Sequence, residues 1–247
     1  MRTAMKIEAF GATDIGLSRI NNEDAFALLP EQQCFLLADG MGGHKAGEVA
    51  ASETIVQLAD TVKKEHPRNP SSEEWERILI RAFSNANNYV YSLSQEREDL
   101  QGMGTTICMA LFTDSTLVCV HVGDSRIYRI RKGRISQITR DHSLKADLIA
   151  SGELDETLAN SFPHKNVITR AIGTQKRVEP DISKEKIEKD DIYFLCSDGL
   201  TDPLSDAQIQ HIIDGAPNPR EATENLILEA KKAGGGDNIT VISVFIH

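Results

Sequence analysis

The chain has 247 residues, 40% of them apolar and 5% aromatic, with 27 Lys and Arg against 37 Asp and Glu for a formal charge of −10. Such a length and composition support a sizeable core and exclude a disordered chain. The negative balance, with no block of Lys or Arg, excludes nucleic acid and anionic membranes as partners, because counterion release needs clustered cations. The longest apolar runs, such as 107–112, have about a third of the roughly 18 residues a membrane-spanning helix requires. The N-terminus carries no signal-peptide h-region, so the expected location is cytoplasmic, without membrane insertion. Cys34, Cys108, Cys119 and Cys196 lie far apart, each inside an apolar stretch, and read as reduced core thiols rather than a disulfide framework or zinc site.

In chain order, the acidic pair Glu23-Asp24 precedes an apolar segment at 25–29, and residues 34–38 form a short buried strand running into Asp39-Gly40. Ala51, Ile55, Leu58 and Val62 make one apolar stripe, which predicts a helix over about 47–63. A polar loop at 63–72 leads to the capping box Ser71-x-x-Glu74 and a second helix with Trp75, Leu79, Ala82, Ala86, Tyr89 and Leu93 inward. Residues 116–122 read as a strand stopping at Gly123-Asp124. Residues 127–131 and 135–138 alternate around Lys132-Gly133 as a hairpin. The charge-rich run 183–191 reads as a solvated connection, and 192–197 as a strand running into Asp198-Gly199. Ser205-x-x-Gln208 starts a short helix, and Asn218-Pro219 starts another with Ala222, Leu226, Ala230 and Ala233 inward. Three glycines, 234–236, end it before a last strand at 239–246. Adjacent strands with segregated helices indicate an α+β layered domain rather than a wound βαβ fold.

The chemical signal is a set of carboxylates at strand ends: Glu23-Asp24, Asp39, Asp124, Asp198 and Asp237. Singly, Asp-Gly is a turn dipeptide, and Arg19 a surface residue pairing with Glu23. Should the carboxylates converge, their repulsion demands a cation. Oxygen-only ligation then selects Mg²⁺ or Mn²⁺ over Zn²⁺.

Together, Asp14-Ile15-Gly16-x-x-Arg19-x-x-Asn22-Glu23-Asp24, Ala38-Asp39-Gly40-Met41-Gly42-Gly43-His44, Gly102-Met103-Gly104-Thr105-Thr106, Val122-Gly123-Asp124-Ser125-Arg126, Thr139-Arg140-Asp141-His142-Ser143-Leu144, Cys196-Ser197-Asp198-Gly199-Leu200 and Gly236-Asp237-Asn238-Ile239-Thr240 stand in this order. The series resembles the motifs of the metal-dependent PP2C (PPM) protein serine/threonine phosphatases of bacterial type. It implies a four-layer α-β-β-α fold, a central β-sandwich of two antiparallel sheets flanked on both sides by helices, as one phosphatase domain over 1–247. A flap subregion would span about 141–169.

By that resemblance Asp39 is the carboxylate bridging two metal ions and Gly40 offers its carbonyl to the second. Asp198 and Asp237 match the other ligands of the first ion. Glu23 and Asp24 match the second-ion side, with the inner-sphere residue of the two left open. Asp124 with Asp198 is the candidate pair for a third, weaker ion. Arg19 matches the phosphate-binding arginine, whose planar fork suits two phosphate oxygens. The implied reaction is hydrolysis of phosphoserine and phosphothreonine by a metal-activated bridging water, with no covalent phosphoenzyme. Met41 stands where eukaryotic relatives place a proton-donating His. His44 is therefore the candidate acid, with a turn histidine as its alternative, while His142 lies in a structural block. The implied partners are phosphoprotein substrates and a bacterial Ser/Thr kinase that the enzyme opposes, and the chain is expected to act as a monomer.

Two other readings compete. A catalytically silent module of the same fold would bind phosphoproteins without cleaving them, but the intact Asp24, Asp39, Asp198 and Asp237 set argues against it, since a binding module has no use for costly buried carboxylates. A metal-dependent nuclease or small-phosphoester hydrolase using the same ion pair would be marked by a basic groove for a polyanion, which the charge of −10 opposes. No Gly-Lys-Ser/Thr phosphate loop is present.

Overall fold

A computed structural model describes residues 6–42, 46–113, 115–155, 157–158, 162–164 and 166–247. The strands are β1 (Ile7–Asp14), β2 (Asp24–Leu29), β3 (Cys34–Met41), β4 (Gly104–Thr105), β5 (Ile107–Thr113), β6 (Thr116–Val122), β7 (Arg126–Arg131), β8 (Arg134–Gln137), β9 (Asp181–Lys186), β10 (Ile192–Cys196) and β11 (Ile239–Ile246). The helices are α1 (Ala46–Glu65), α2 (Ser72–Glu96), α3 (Leu144–Ser151), α4 (Asp198–Thr201), α5 (Asp206–Asp214) and α6 (Pro219–Lys232). One sheet runs β1-β11-β10-β7-β8 and the other β2-β3-β5-β6-β9, with β4 added to β3.

Two-residue periodicity divides the core into three layers. Phe35 and Leu37 of β3 meet Tyr193, Leu195, Ile242 and Val244 between the sheets. Leu36 and Ala38, on the opposite face of β3, pack under α1 and α2. Val241 and Phe245 of β11 likewise turn outward beneath α5 and α6. The Phe112 ring stands edge-on to Phe35 and Tyr193, with centroids 5.9 and 5.4 Å away, and ties the two sheets together. Every residue of β11 is buried, as expected for a central strand covered on both faces. The result is the α-β-β-α sandwich.

The signposted elements form as their chemistry dictates. Ser71 and Glu74 make the reciprocal capping box, the Ser71 hydroxyl accepting from the Glu74 amide at 3.3 Å and the Glu74 carboxylate from the Ser71 amide at 2.8 Å. Ser205 and Gln208 do the same for α5, and Pro219 opens α6 behind the Asn218 cap. Lys132 and Gly133 both take positive φ, +51° and +67°, as a two-residue hairpin requires. All four cysteines are buried and free. Among the described residues no helix is long and apolar enough to cross a membrane.

Other expectations are corrected. Asp39-Gly40 is no turn, because β3 continues through Met41 where β4 pairs with Gly40 and Met41. Asp198-Gly199 opens α4 behind Ser197 instead of turning. Part of the run 183–191 belongs to β9, an edge strand that pairs only with β6 and so tolerates charge. Asp191 from the same run is buried and takes Arg131 at 2.6 Å. The strand β1 carries little apolar bulk because Gly11 lies against the Phe26 ring, where an added Cβ would come within 2.9 Å. Tyr89 is 44% exposed rather than inward. Ala233 falls just past α6 and is exposed. The helix α3 lies inside the stretch expected to be a flap, and none of its residues is buried.

Candidate active site

The predicted carboxylates gather where the two sheets meet at one end. Across β2 and β3, Asp24 is registered opposite Asp39. In the other sheet β10 pairs with β11, so Asp198 just beyond β10 and Asp237 just before β11 emerge side by side. Asp24 bridges the sheets, its Oδ2 accepting from the hydroxyls of Ser197 at 2.8 Å and Thr240 at 2.6 Å. Withdrawal from water pushes the Asp39 carboxyl well above its ordinary range, and the charges of Asp24, Asp198, Asp124 and Asp237 push it further. Asp198 rises to about 8, from desolvation first and then Asp124 and Asp237. Asp24 rises to about 6 through burial, held down in part by its two hydroxyl donors. Asp124 also rises to about 6, from burial and then from Asp141.

Glu23 lies in the same corner, its carboxylate against the first turn of α1. Asn21 Nδ2 donates to it at 2.9 Å. The approach depends on two glycines: a Cβ on Gly47 would sit 2.1 Å from Glu23 Oε2, and one on Gly40 would sit 2.2 Å from the Gly47 carbonyl oxygen. Gly40 is required by this crowding, beyond the accessibility of its own carbonyl. Arg19 pairs with Asp237 at 2.6 Å, not with Glu23, and half of its side chain faces water.

Polar residues that carried no assigned role hold these groups in place. Asn238, 5% exposed, accepts from the Glu23 amide at 2.8 Å and donates to the carbonyls of Ile15 and Asn21, both at 3.0 Å. It thereby ties the Arg19 loop and Glu23 to the residue after Asp237. Thr105 and Thr106 clamp the Asp39 backbone: the Thr105 hydroxyl and Thr106 amide both donate to its carbonyl at 2.8 Å, and its amide donates to the Thr106 hydroxyl at 3.0 Å. Thr106 shares a 2.6 Å hydrogen bond with Ser125, which joins Asp39 to the turn carrying Asp124. Asp202, one turn beyond Asp198, adds negative charge to both Asp124 and Asp198. Each of these except Asp202 stands inside a motif block, but their partners are distant in sequence.

Arg126 pairs with Asp141 at 2.6 Å and donates to Tyr128. His142 accepts from the Gly123 amide at 3.1 Å and packs on His121, a structural role. His121, His142 and Asp181 form a compact group able to hold a metal ion. The Arg170 guanidinium, 2.8 Å from Asp181 and 3.3 Å from His142 Nε2, already supplies positive charge there. His44 lies outside the described residues.

Comparison with known proteins decides the family. The family model described as "Protein phosphatase 2C" matches residues 17–225. The chain belongs to the protein phosphatase 2C family. It is 37% identical to "Serine/threonine phosphatase stp" of Listeria innocua over 94% of this chain and 93% of that one. Its structure resembles the crystal structure of Stp1 from Staphylococcus aureus with a TM-score of 0.93 at 35% identity, covering 100% of this chain and 98% of that one. It also resembles the catalytic domain of the phosphatase PstP in complex with two manganese ions, with a TM-score of 0.87 at 35% identity, covering 98% and 99% of the two chains. By family the chain is a protein serine/threonine phosphatase, a phosphoric monoester hydrolase.

In this protein phosphatase 2C chain the donor set fits divalent cations. The crowded groups are all carboxylates, no thiol joins them, and burial, followed by their mutual repulsion, raises Asp39 well above its ordinary range and Asp198 to about 8. A stability prediction follows from the sign of these shifts. Carboxyls whose folded pKa lies above the unfolded value bind more protons folded than unfolded, so protein stripped with EDTA loses stability as pH rises from about 4 toward about 8. Added Mn²⁺ competes with those protons, and its stabilisation grows across the same window. Melting temperatures with and without Mn²⁺ at pH 5.5 and 8 should show the larger gap at pH 8; an equal gap would disprove the linkage.

Proposed function

We propose that this chain removes phosphate from phosphoserine and phosphothreonine in proteins, using two Mn²⁺ or Mg²⁺ ions held by its carboxylates. One observation carries the reading: carboxylates from both sheets crowd into one corner with an arginine at its rim. Asp39, placed among Asp24, Asp124, Asp198 and Asp237, is suited to bridge two ions, with the Gly40 carbonyl beside it. Asp198 and Asp237 would complete the first ion's shell. Glu23 and Asp24 would serve the second; Asp24 has one oxygen committed to Ser197 and Thr240, leaving the other for a ligand role. Asp124 with Asp198 would hold a third, weaker ion. Bound cations would lower the pKa of the attacking water and draw charge from the phosphoryl oxygens. Arg19 would grip two phosphate oxygens and turn the ester for in-line attack, and His44 is the candidate donor to the leaving alkoxide.

Residues 1–247 would act as one phosphatase domain, a cytoplasmic monomer opposing a Ser/Thr kinase. The segment 141–169, rooted by Thr169 donating to the His142 carbonyl at 2.8 Å, would serve as the flap beside the site. The test is phosphate release from a phosphothreonine peptide by protein treated with EDTA and then given Mn²⁺ or Mg²⁺. Release only after metal addition supports the reading. Folded protein that binds the peptide but releases nothing with either metal would be a phosphoprotein-binding module.

A further inference from the structure

Three of the nine large apolar side chains exposed among the described residues fall within six consecutive positions: Ile15 at 39%, Leu17 at 65% and Ile20 at 96% exposure. The other six are scattered singly, as on any soluble surface. This cluster surrounds Arg19, the residue assigned to the substrate phosphate. Ile20 gives nothing to the fold, since it is almost wholly in water, and a polar residue would be more natural there.

The loop cannot fold inward to hide these side chains. Its carbonyls at Ile15 and Asn21 are held by Asn238, and the Leu17 amide donates to the Gly235 carbonyl at 2.7 Å. The Gly16 amide donates to Asp14 at 2.9 Å, and Arg19 is fixed on Asp237 at 2.6 Å. The result is a rigid apolar lip whose surface is available only to a partner.

The reach of a peptide decides which partner. Successive Cα atoms lie about 3.8 Å apart, so residues one or two places from a phosphorylated Ser or Thr lie within about 7 Å of it. Arg19 and Ile20 are themselves chain neighbours. A phosphopeptide gripped at Arg19 would bring its flanking residues within reach of Leu17 and Ile20, which stand two and one places from Arg19 and are open to water. We infer that the Ile15–Ile20 lip is a docking surface for an apolar substrate side chain one or two residues from the phosphorylated one. Burial of that side chain against Ile20 and Leu17 favours such substrates over polar-flanked ones, a specificity that rests on the phosphatase reading above.

The test compares two phosphothreonine peptides that differ only in Leu or Ser at the two positions on either side, with para-nitrophenyl phosphate as a substrate lacking flanks. Wild-type enzyme with Mn²⁺ should prefer the Leu peptide about tenfold in kcat/KM, chiefly through KM. Ile20→Ser should remove most of that preference by raising KM for the Leu peptide alone, while para-nitrophenyl phosphate turnover and the Ser peptide stay unchanged. Equal wild-type rates on both peptides, or an Ile20→Ser loss shared by all three substrates, would overturn the inference. A wild-type dimer in sedimentation that Ile20→Ser converts to monomer would also overturn it, since a second copy would then cover the lip. Failure to hydrolyse para-nitrophenyl phosphate with any metal would instead refute the phosphatase reading, so the two failures are distinguishable.

Discussion

Asp39→Asn lowers phosphatase turnover by more than about a thousandfold at saturating Mn²⁺ while making the metal-free protein more stable. The opposite signs follow from one site. The Asp39 backbone is clamped by Thr105 and Thr106, so an isosteric amide leaves the strand in place. What changes is the charge. Asp39 is withdrawn from water and stands in the field of Asp24, Asp198, Asp124 and Asp237, and removing its carboxylate relieves both the burial cost and the repulsion in metal-free protein. The same change removes the group best placed to bridge two cations. Stability held back for function is the usual relation at such centres. Phosphate release and melting temperature in EDTA, measured on both proteins, check it together. Near-normal turnover in the variant would remove the two-ion reading, and a lower metal-free melting temperature would show that Asp39 is not under the repulsion described.

How much of this was legible in the sequence depended on how local each signal is. The capping boxes at Ser71 and Ser205 and the Asn218-Pro219 start each span no more than four residues, and all three helices begin where they were expected. The Lys132-Gly133 hairpin and the last strand are equally local. Asp39-Gly40 was misread because the strand that prolongs β3 comes from residues some 65 positions later, and no pattern around Asp39 announces β4. The edge strand β9 was hidden by its charges, which an unpaired flank permits. In the site, the carboxylates and Arg19 were visible as a motif series, yet the motif could not say what holds them. Asn238, Ser197, Thr240 and Thr106 act through partners up to more than 200 residues away, so only the folded chain pairs Thr240 with Asp24 or Asn238 with Ile15.

Arg19→Ala should raise KM for a phosphothreonine peptide about tenfold or more, without weakening activation by Mn²⁺. A charge-assisted, two-point grip on phosphate is worth roughly 1.5–3 kcal/mol, and the half-exposed position of Arg19 places the effect toward the lower end. In the metal-free site Arg19 neutralises part of Asp237, the carboxylate its guanidinium touches. Its loss frees that oxygen, so the Mn²⁺ concentration for half-activation should hold steady or fall. Asp237→Asn should do the reverse, abolishing turnover at any Mn²⁺ concentration, if Asp237 is the ligand proposed above and Arg19 only its neighbour. Arg19→Lys keeps the charge but loses the fork, and is expected to recover only part of the affinity. A KM left unchanged by Arg19→Ala would sink the phosphate assignment, whereas a large rise in the Mn²⁺ requirement would make Arg19 a support for the metal ligands instead. The separation works because the loop is held by Asn238 and Gly235 independently of the Arg19 side chain, so truncating that side chain leaves the carboxylates where they are.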